Sequence, residues 1–234
     1  MANLSNINTK PQKGFTIVEL MIALSITALI LGGLLSFNIQ LIKGGLFSQN
    51  KNQINRDIRK VTNDIGMVAK ESNYFIIYPS FDAADHQDSD DRLVTDESGD
   101  FIMFVHTSSS YISFGVHPVE KIVGYYRDSG DVDELKNVGA VKRFEVTFNS
   151  PVDVTSDSTP LESLIPTAAA VKATEILELS KGTANGKLFY NFGNKSVMVN
   201  AQIYHGNRTQ RVTDTYNFTV SPRGKHYDNF PQFS

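Results

Sequence analysis

"KGFTIVELMIALSITALILGGLLSF", residues 13–37, holds one carboxylate, Glu19, inside an apolar run. From Leu20 to Ile42 no residue is charged, and only Ser25, Thr27, Ser36, Asn38 and Gln40 are notably polar. At about 1.5 Å rise per residue this stretch reaches roughly 34 Å as a helix, enough for a hydrocarbon core of about 30 Å. Residues 1–14 carry Lys10 and Lys13 and no acid, so they stay cytoplasmic while the rest of the chain crosses. A cleaved secretory signal has a shorter apolar run that ends at a small-x-small site. Here Gly32-Gly33 is followed by more leucine. A plain signal anchor has the right length but gains nothing from Glu19. A carboxylate in a lipid-facing helix costs on the order of 2–3 kcal/mol at the bilayer centre, less near the end, and marks a partnered functional site.

The rest of the composition is that of a globular protein. Of 234 residues, 41% are apolar and 20% charged, which suits one sizeable domain plus an extension. The net charge of −3 hides a split: residues 1–72 sum to +4 and residues 73–234 to −7. An acidic head does not suit nucleic acid, whose recognition needs a basic face, and none is expected as a partner. With no cysteine there is no disulfide, thiolate metal site or thiol nucleophile, so the head must be held by its core.

The order Lys13-Gly14-Phe15-Thr16-Ile17-Val18-Glu19, running straight into an apolar helix, resembles the N-terminus of type IV prepilins and of the pseudopilins of type II secretion systems. The resemblance covers about 30 residues. It implies that a membrane prepilin peptidase cleaves after Gly14 and methylates the new amino terminus at Phe15, with Lys13 as the basic residue of the leader. The leader is then residues 1–14 and the mature chain 220 residues. It also implies a partner for Glu19: the Phe15 ammonium released by cleavage, neutralised by the carboxylate of a neighbouring subunit during assembly. The competing reading of Glu19 is an interfacial residue that reaches the headgroups. The sequence departs from the family in two respects. The membrane helix lacks the proline common in the family, although Gly32-Gly33 and Gly44-Gly45 offer similar looseness. The disulfide loop of major pilins cannot form without cysteine.

Beyond Lys43 the helical pattern becomes one-sided. Ile54, Ile58, Val61, Ile65 and Val68 form a stripe, with Arg56, Arg59, Lys60 and Asp64 off it. Four segments follow: a leader at 1–14, a transmembrane segment at 15–42, an amphipathic continuation at 43–73 and a β-rich head at 74–234. In the head, strands are predicted over Tyr74–Tyr78, Phe101–Val105, Tyr111–Val116, Lys121–Tyr126, Lys142–Asn149, Lys187–Phe192, Ser196–Tyr204 and Arg211–Val220. Turns are predicted at Asp128–Asp131, Asn149–Pro151, Asn185-Gly186, Gly193-Asn194 and Gly206-Asn207. The last three strands read as a meander, and a helix is predicted over Thr167–Ser180. The fold class is α+β, a long helical stalk carrying a β-rich, pilin-like head.

The sequence carries no constellation for catalysis. Asp82, Asp85, Asp88, Asp90, Asp91, Asp96, Glu97 and Asp100 face only Arg92. Such oxygen-rich segments can take Ca²⁺, with Asp88, Asp90 and Asp91 as candidate ligands, but EF-hand spacing is missing. A solvated, mobile loop with no cofactor is the reading adopted. His86, His106, His117, His205 and His226 have no zinc-helix spacing, and neither a Gly-x-Ser-x-Gly elbow nor a nucleotide loop accompanies them. The chain therefore reads as a non-enzymatic minor pilin or minor pseudopilin in the bacterial inner membrane. It would be single-pass, with its head in the periplasm or on a fibre. Its partners would be prepilin peptidase, other pilin-like subunits, assembly-platform proteins and membrane lipid. Size and β-rich layout loosely resemble the larger minor components called J in secretion systems or W in pili. The alternative is a membrane-anchored binding or adhesion module that never polymerises and keeps the motif as a sorting tag, with Lys142-Arg143 or Arg208/Arg211 as local basic patches.

Overall fold

The computed structural model describes residues 14–108, 118–132, 135–154, 159–206 and 211–223, with the side chains of 129–132 and 135 excepted. The predicted strand Tyr111–Val116 lies outside them. The chain divides into two compact units, Met1–Ser48 and Gln49–Ser234, and one helix, α1 (Ile17–Glu71), contributes to both. In the first unit every residue from Gly14 to Ser48 is exposed, including all the large apolar side chains from Phe15 to Phe47. This part of α1 is long and apolar enough to cross a membrane. The helix runs without a break through Gly32-Gly33 and Gly44-Gly45.

In the second unit the predicted stripe holds. Ile54, Val61, Ile65 and Val68 are buried, joined by Ala69, and Ile58 packs against the same core. The sheet they cover has nine strands. The first is β1 (Tyr74–Tyr78), followed by the short β2 (Ser98–Gly99) and β3 (Phe101–Thr107). Two long strands, β4 (Val119–Val132) and β5 (Leu135–Val152), come next. The remainder are β6 (Thr174–Gly182), β7 (Phe189–Phe192), β8 (Ser196–His205) and β9 (Val212–Val220). Pairing is antiparallel in the order β1-β3-β4-β5-β6-β8-β7-β2. β9 runs along the other edge of β8, so β7, β8 and β9 form the predicted meander. With helix and sheet both present, the α+β class stands.

Alternation along the strands builds two cores. In β1, Phe75 and Ile77 face α1, whereas Tyr74 and Tyr78 face away. In β3, Ile102 and Phe104 face α1, with Phe101, Met103 and Val105 on the far side. That far side is an aromatic layer, and Gly124 makes room for it: a Cβ there would lie 2.2 Å from the Phe144 ring. Phe81 caps the layer, stacked on Tyr126 at 4.1 Å between centroids and edge-on to Phe101 at 5.0 Å. Both faces are therefore covered, which is why β3 reads as a continuous apolar run rather than an alternating one.

Three expectations are corrected. Thr167–Ser180 is not a helix: β6 occupies Thr174–Gly182 and bridges β5 to β8, through Val141↔Leu177 and Ser180↔Ile203. Tertiary pairing overrides the helix propensity of its Glu and Leu residues. Asp128–Asp131 and Asn149–Pro151 are not chain reversals, since both lie inside the β4/β5 hairpin. There the register shifts between Gly130 and Val132, and again where Lys121↔Thr147 is followed by Val119↔Val152. The turn chemistry in these stretches makes bulges. The acidic segment is largely exposed, as a solvated run should be, but it is locally ordered rather than without structure. Two 3-10 turns, Ala83–Asp85 and Ser89–Asp91, are capped by Asp82 and Asp88. By contrast Asn185-Gly186 and Gly193-Asn194 turn as predicted, all four residues at positive φ.

One buried group makes stability depend on pH. His106 in β3 faces Lys121 across the strands, and its Nε2 has no hydrogen-bond partner among the described residues. Burial, and then the Lys121 charge, push its pKa below the ordinary histidine value. The folded state therefore resists the proton that the unfolded chain accepts below about pH 6.5, and stability falls as the pH drops through that value. Thermal melts of the detergent-solubilised chain between about pH 7.5 and 5.5 should show this fall, reduced in His106→Gln. Equal slopes in the two proteins would contradict it.

Candidate processing and assembly site

The residues singled out by the sequence sit at the start of α1. Gly14, Phe15 and Thr16 precede the first helical residue, Ile17. Thr16 closes the helix end: its C=O accepts the Leu20 N–H at 3.1 Å, and its Oγ1 accepts the Glu19 N–H at 3.3 Å. Glu19 answers, its Oε2 accepting both the Thr16 N–H and the Thr16 hydroxyl at 2.9 Å. This is a capping box, with Thr16 at the cap and Glu19 three residues on. The Thr-x-x-Glu spacing of such a box is legible in the sequence, although the charge of Glu19 is its more conspicuous feature. No cation pairs with Glu19 among the described residues. The box satisfies hydrogen bonds of the carboxylate and supplies no cation for its charge.

Gly14 has a different character. A Cβ added there would meet nothing within 4 Å. The fold of this chain does not require a glycine at that position. Phe15 is 88% exposed, and Lys13 lies outside the described residues.

The head's polar clusters hold the domain together. Along α1 three contacts pin the helix to the sheet: Lys51 to Asp214 at 2.6 Å, Asp57 to His205 at 2.8 Å, and Asp64 to the Tyr125 hydroxyl at 2.9 Å. At the far side Glu162 Oε1 accepts from the Tyr78 hydroxyl at 2.8 Å and from Arg92 Nε at 2.6 Å. Burial alone would raise the Glu162 carboxyl, and the Arg92 guanidinium more than offsets it, leaving it below its ordinary value. Burial pushes the Tyr78 hydroxyl well up, so it stays a donor. The candidate calcium ligands are used locally. Asp88 Oδ1 accepts the Asp90 N–H at 2.9 Å, and Asp91 Oδ2 accepts the Gln87 and Asp88 N–H groups. Among the described residues no group of three or more His, Asp or Glu side chains is placed to hold a metal. The basic patch Lys142-Arg143 is neutralised, Lys142 by Asp128 at 2.6 Å and Arg143 by Glu145 at 2.5 Å.

A long N-terminal helix, apolar enough in its first part to cross a membrane and capped at its mouth by Thr16 and Glu19, leads into a β-rich domain, an α+β arrangement of the pilin-like kind. Residues 9–35 match a family profile described as the prokaryotic N-terminal methylation motif. The chain thus carries the signal that directs processing by prepilin peptidase and assembly with pilin subunits. Neither a curated protein nor a solved structure gave a significant match.

Proposed function

We propose that this chain is a minor pilin or minor pseudopilin. It would be cleaved after Gly14, methylated at Phe15 and inserted in the bacterial inner membrane with its head in the periplasm until assembly-platform proteins draw it into a fibre. The observation that carries the reading is the carboxylate of Glu19, without a cation among the described residues, at the mouth of the exposed apolar part of α1. In lipid such a charge needs a cation, and cleavage beside Phe15 generates one on every neighbouring subunit. The exposed apolar side chains from Ile17 to Phe47 supply the packing surface once subunits gather. The cysteine-free head and its acidic segment favour a minor over a major subunit.

Glu19→Ala should leave cleavage intact and lower recovery of the chain in sheared or sedimented fibres at least about tenfold, the loss expected when one member of a desolvated charge pair is removed. Glu19→Gln keeps the capping geometry without the charge. Assembly of Glu19→Gln at the normal level would show that the carboxylate serves only as a cap.

A further inference from the structure

The half of α1 that packs on the sheet is asymmetric in charge. Of its acids, Asp57 and Asp64 turn to the head, where His205 and Tyr125 take them, and Glu71, its last residue, is exposed. Its outward side presents Arg56, Arg59, Lys60 and Lys70, all exposed. None of these four cations makes an ion pair among the described residues. The spacing 56, 59/60, 63, 67, 70 places them on one helix face, together with Asn63 and the exposed Met67.

The same unit carries the complementary surface. Asp82, Asp88, Asp90, Asp96 and Glu97 are exposed, and Asp85 and Asp91 half-buried. Their carboxylates meet backbone N–H groups and hydroxyls, such as Ser80 to Asp85 at 2.6 Å and Tyr190 to Asp96 at 2.9 Å. None of the seven pairs with a Lys or Arg among the described residues. The segment's own cation, Arg92, is spent inward on Glu162.

We propose that the outward cationic face of α1 is a docking surface for the acidic segment of a second copy of this chain. The two patches are different surfaces of one molecule, so the contact is heterologous and repeats without closing, as a fibre requires. Charge complementarity supplies register more than affinity, and these patches would select one stagger. Single exposed pairs contribute little, so the face acts as a set, and salt weakens it. The inference rests on the fibre-subunit reading and adds that short runs of this chain touch one another.

The cysteine-free chain permits a direct test at full length. Arg59→Cys and Asp90→Cys variants are co-expressed, mildly oxidised and resolved without reductant. The mixed disulfide dimer should exceed either homodimer about tenfold, and Arg56→Glu with Lys60→Glu in the Arg59→Cys chain should reduce it by a similar factor. Adding Asp88→Lys and Asp96→Lys to the Asp90→Cys partner should restore it. Fibres that form with no preference for the mixed dimer would overturn this contact and leave the subunit reading standing. Absence of both fibres and cross-links would overturn the two together. If Arg56→Glu/Arg59→Glu/Lys60→Glu instead loses binding to anionic phospholipid vesicles while Asp90→Cys finds no partner, the face belongs to lipid and the proposal falls.

Discussion

Asp100→Ala should lower the unfolding free energy of the head by about 3–5 kcal/mol, a large share of the roughly 5–15 kcal/mol that a folded domain has. Asp100 lies where the two ends of the strand path meet, and almost none of its surface is exposed. Its N–H donates to Pro79 O at 3.0 Å, and its carboxylate takes Arg127 through Nε at 3.0 Å and Nη2 at 2.6 Å. Oδ1 also accepts the Leu188 N–H at 3.1 Å, and Lys187 Nζ lies 3.3 Å from Oδ2. Arg127 in turn donates to the carbonyls of Asn137 and Gly186. One carboxylate thus ties β3, β4, β5 and the 184–187 turn. Its removal strands a guanidinium whose side chain is 2% exposed and orphans a buried amide. Urea unfolding followed by tyrosine fluorescence reads the loss, since the chain has no tryptophan. A decrease under about 1 kcal/mol would mean that water reaches Arg127 and the clamp is not dry.

The second large effect concerns a residue the fold does not need. Gly14→Val should leave the head's stability unchanged, because a side chain at 14 meets nothing. It should nearly abolish processing, because a peptidase that draws an extended backbone against its catalytic groups has no space for a branched Cβ. An immunoblot separating precursor from mature chain checks this. Without cleavage the nitrogen of Phe15 stays an amide and offers Glu19 no cation. Gly14→Val and Glu19→Ala should therefore fail in assembly to the same degree, and their combination no further. Normal maturation of Gly14→Val would place the scissile bond elsewhere.

Helix features read well from sequence because they are local. The stripe Ile54–Val68 has the helical period, and those residues face the core. The apolar run from Leu20 is long enough to dictate its own structure. Strands with covered faces were equally plain: Tyr74–Tyr78 is β1 to the residue. What stayed hidden is non-local. Thr174–Gly182 carries helix-forming letters and becomes a strand because it pairs with β5 on one side and β8 on the other. The pairs Asp100–Arg127 and Glu162–Arg92 join residues 27 and 70 positions apart, and no spacing rule connects them. The order of the acidic segment was hidden for a related reason. Its aspartates look like a solvated run, yet Phe81 and His86 between them stack against the aromatic layer and hold it down. At the N-terminus the reverse occurred: Glu19 was recognised for its charge, while its bond to Thr16, three residues away, was the simpler inference.

The account depends on a carboxylate held at a helix mouth in oil until a neighbour supplies a fresh ammonium. Intact-mass and N-terminal peptide spectrometry of the chain from cells with an active prepilin peptidase examines this most directly. The expected species begins at Phe15 and carries one methyl group on its amine. A chain that keeps Met1 through Gly14 under those conditions would contradict the account, for Glu19 would then have no cation to meet.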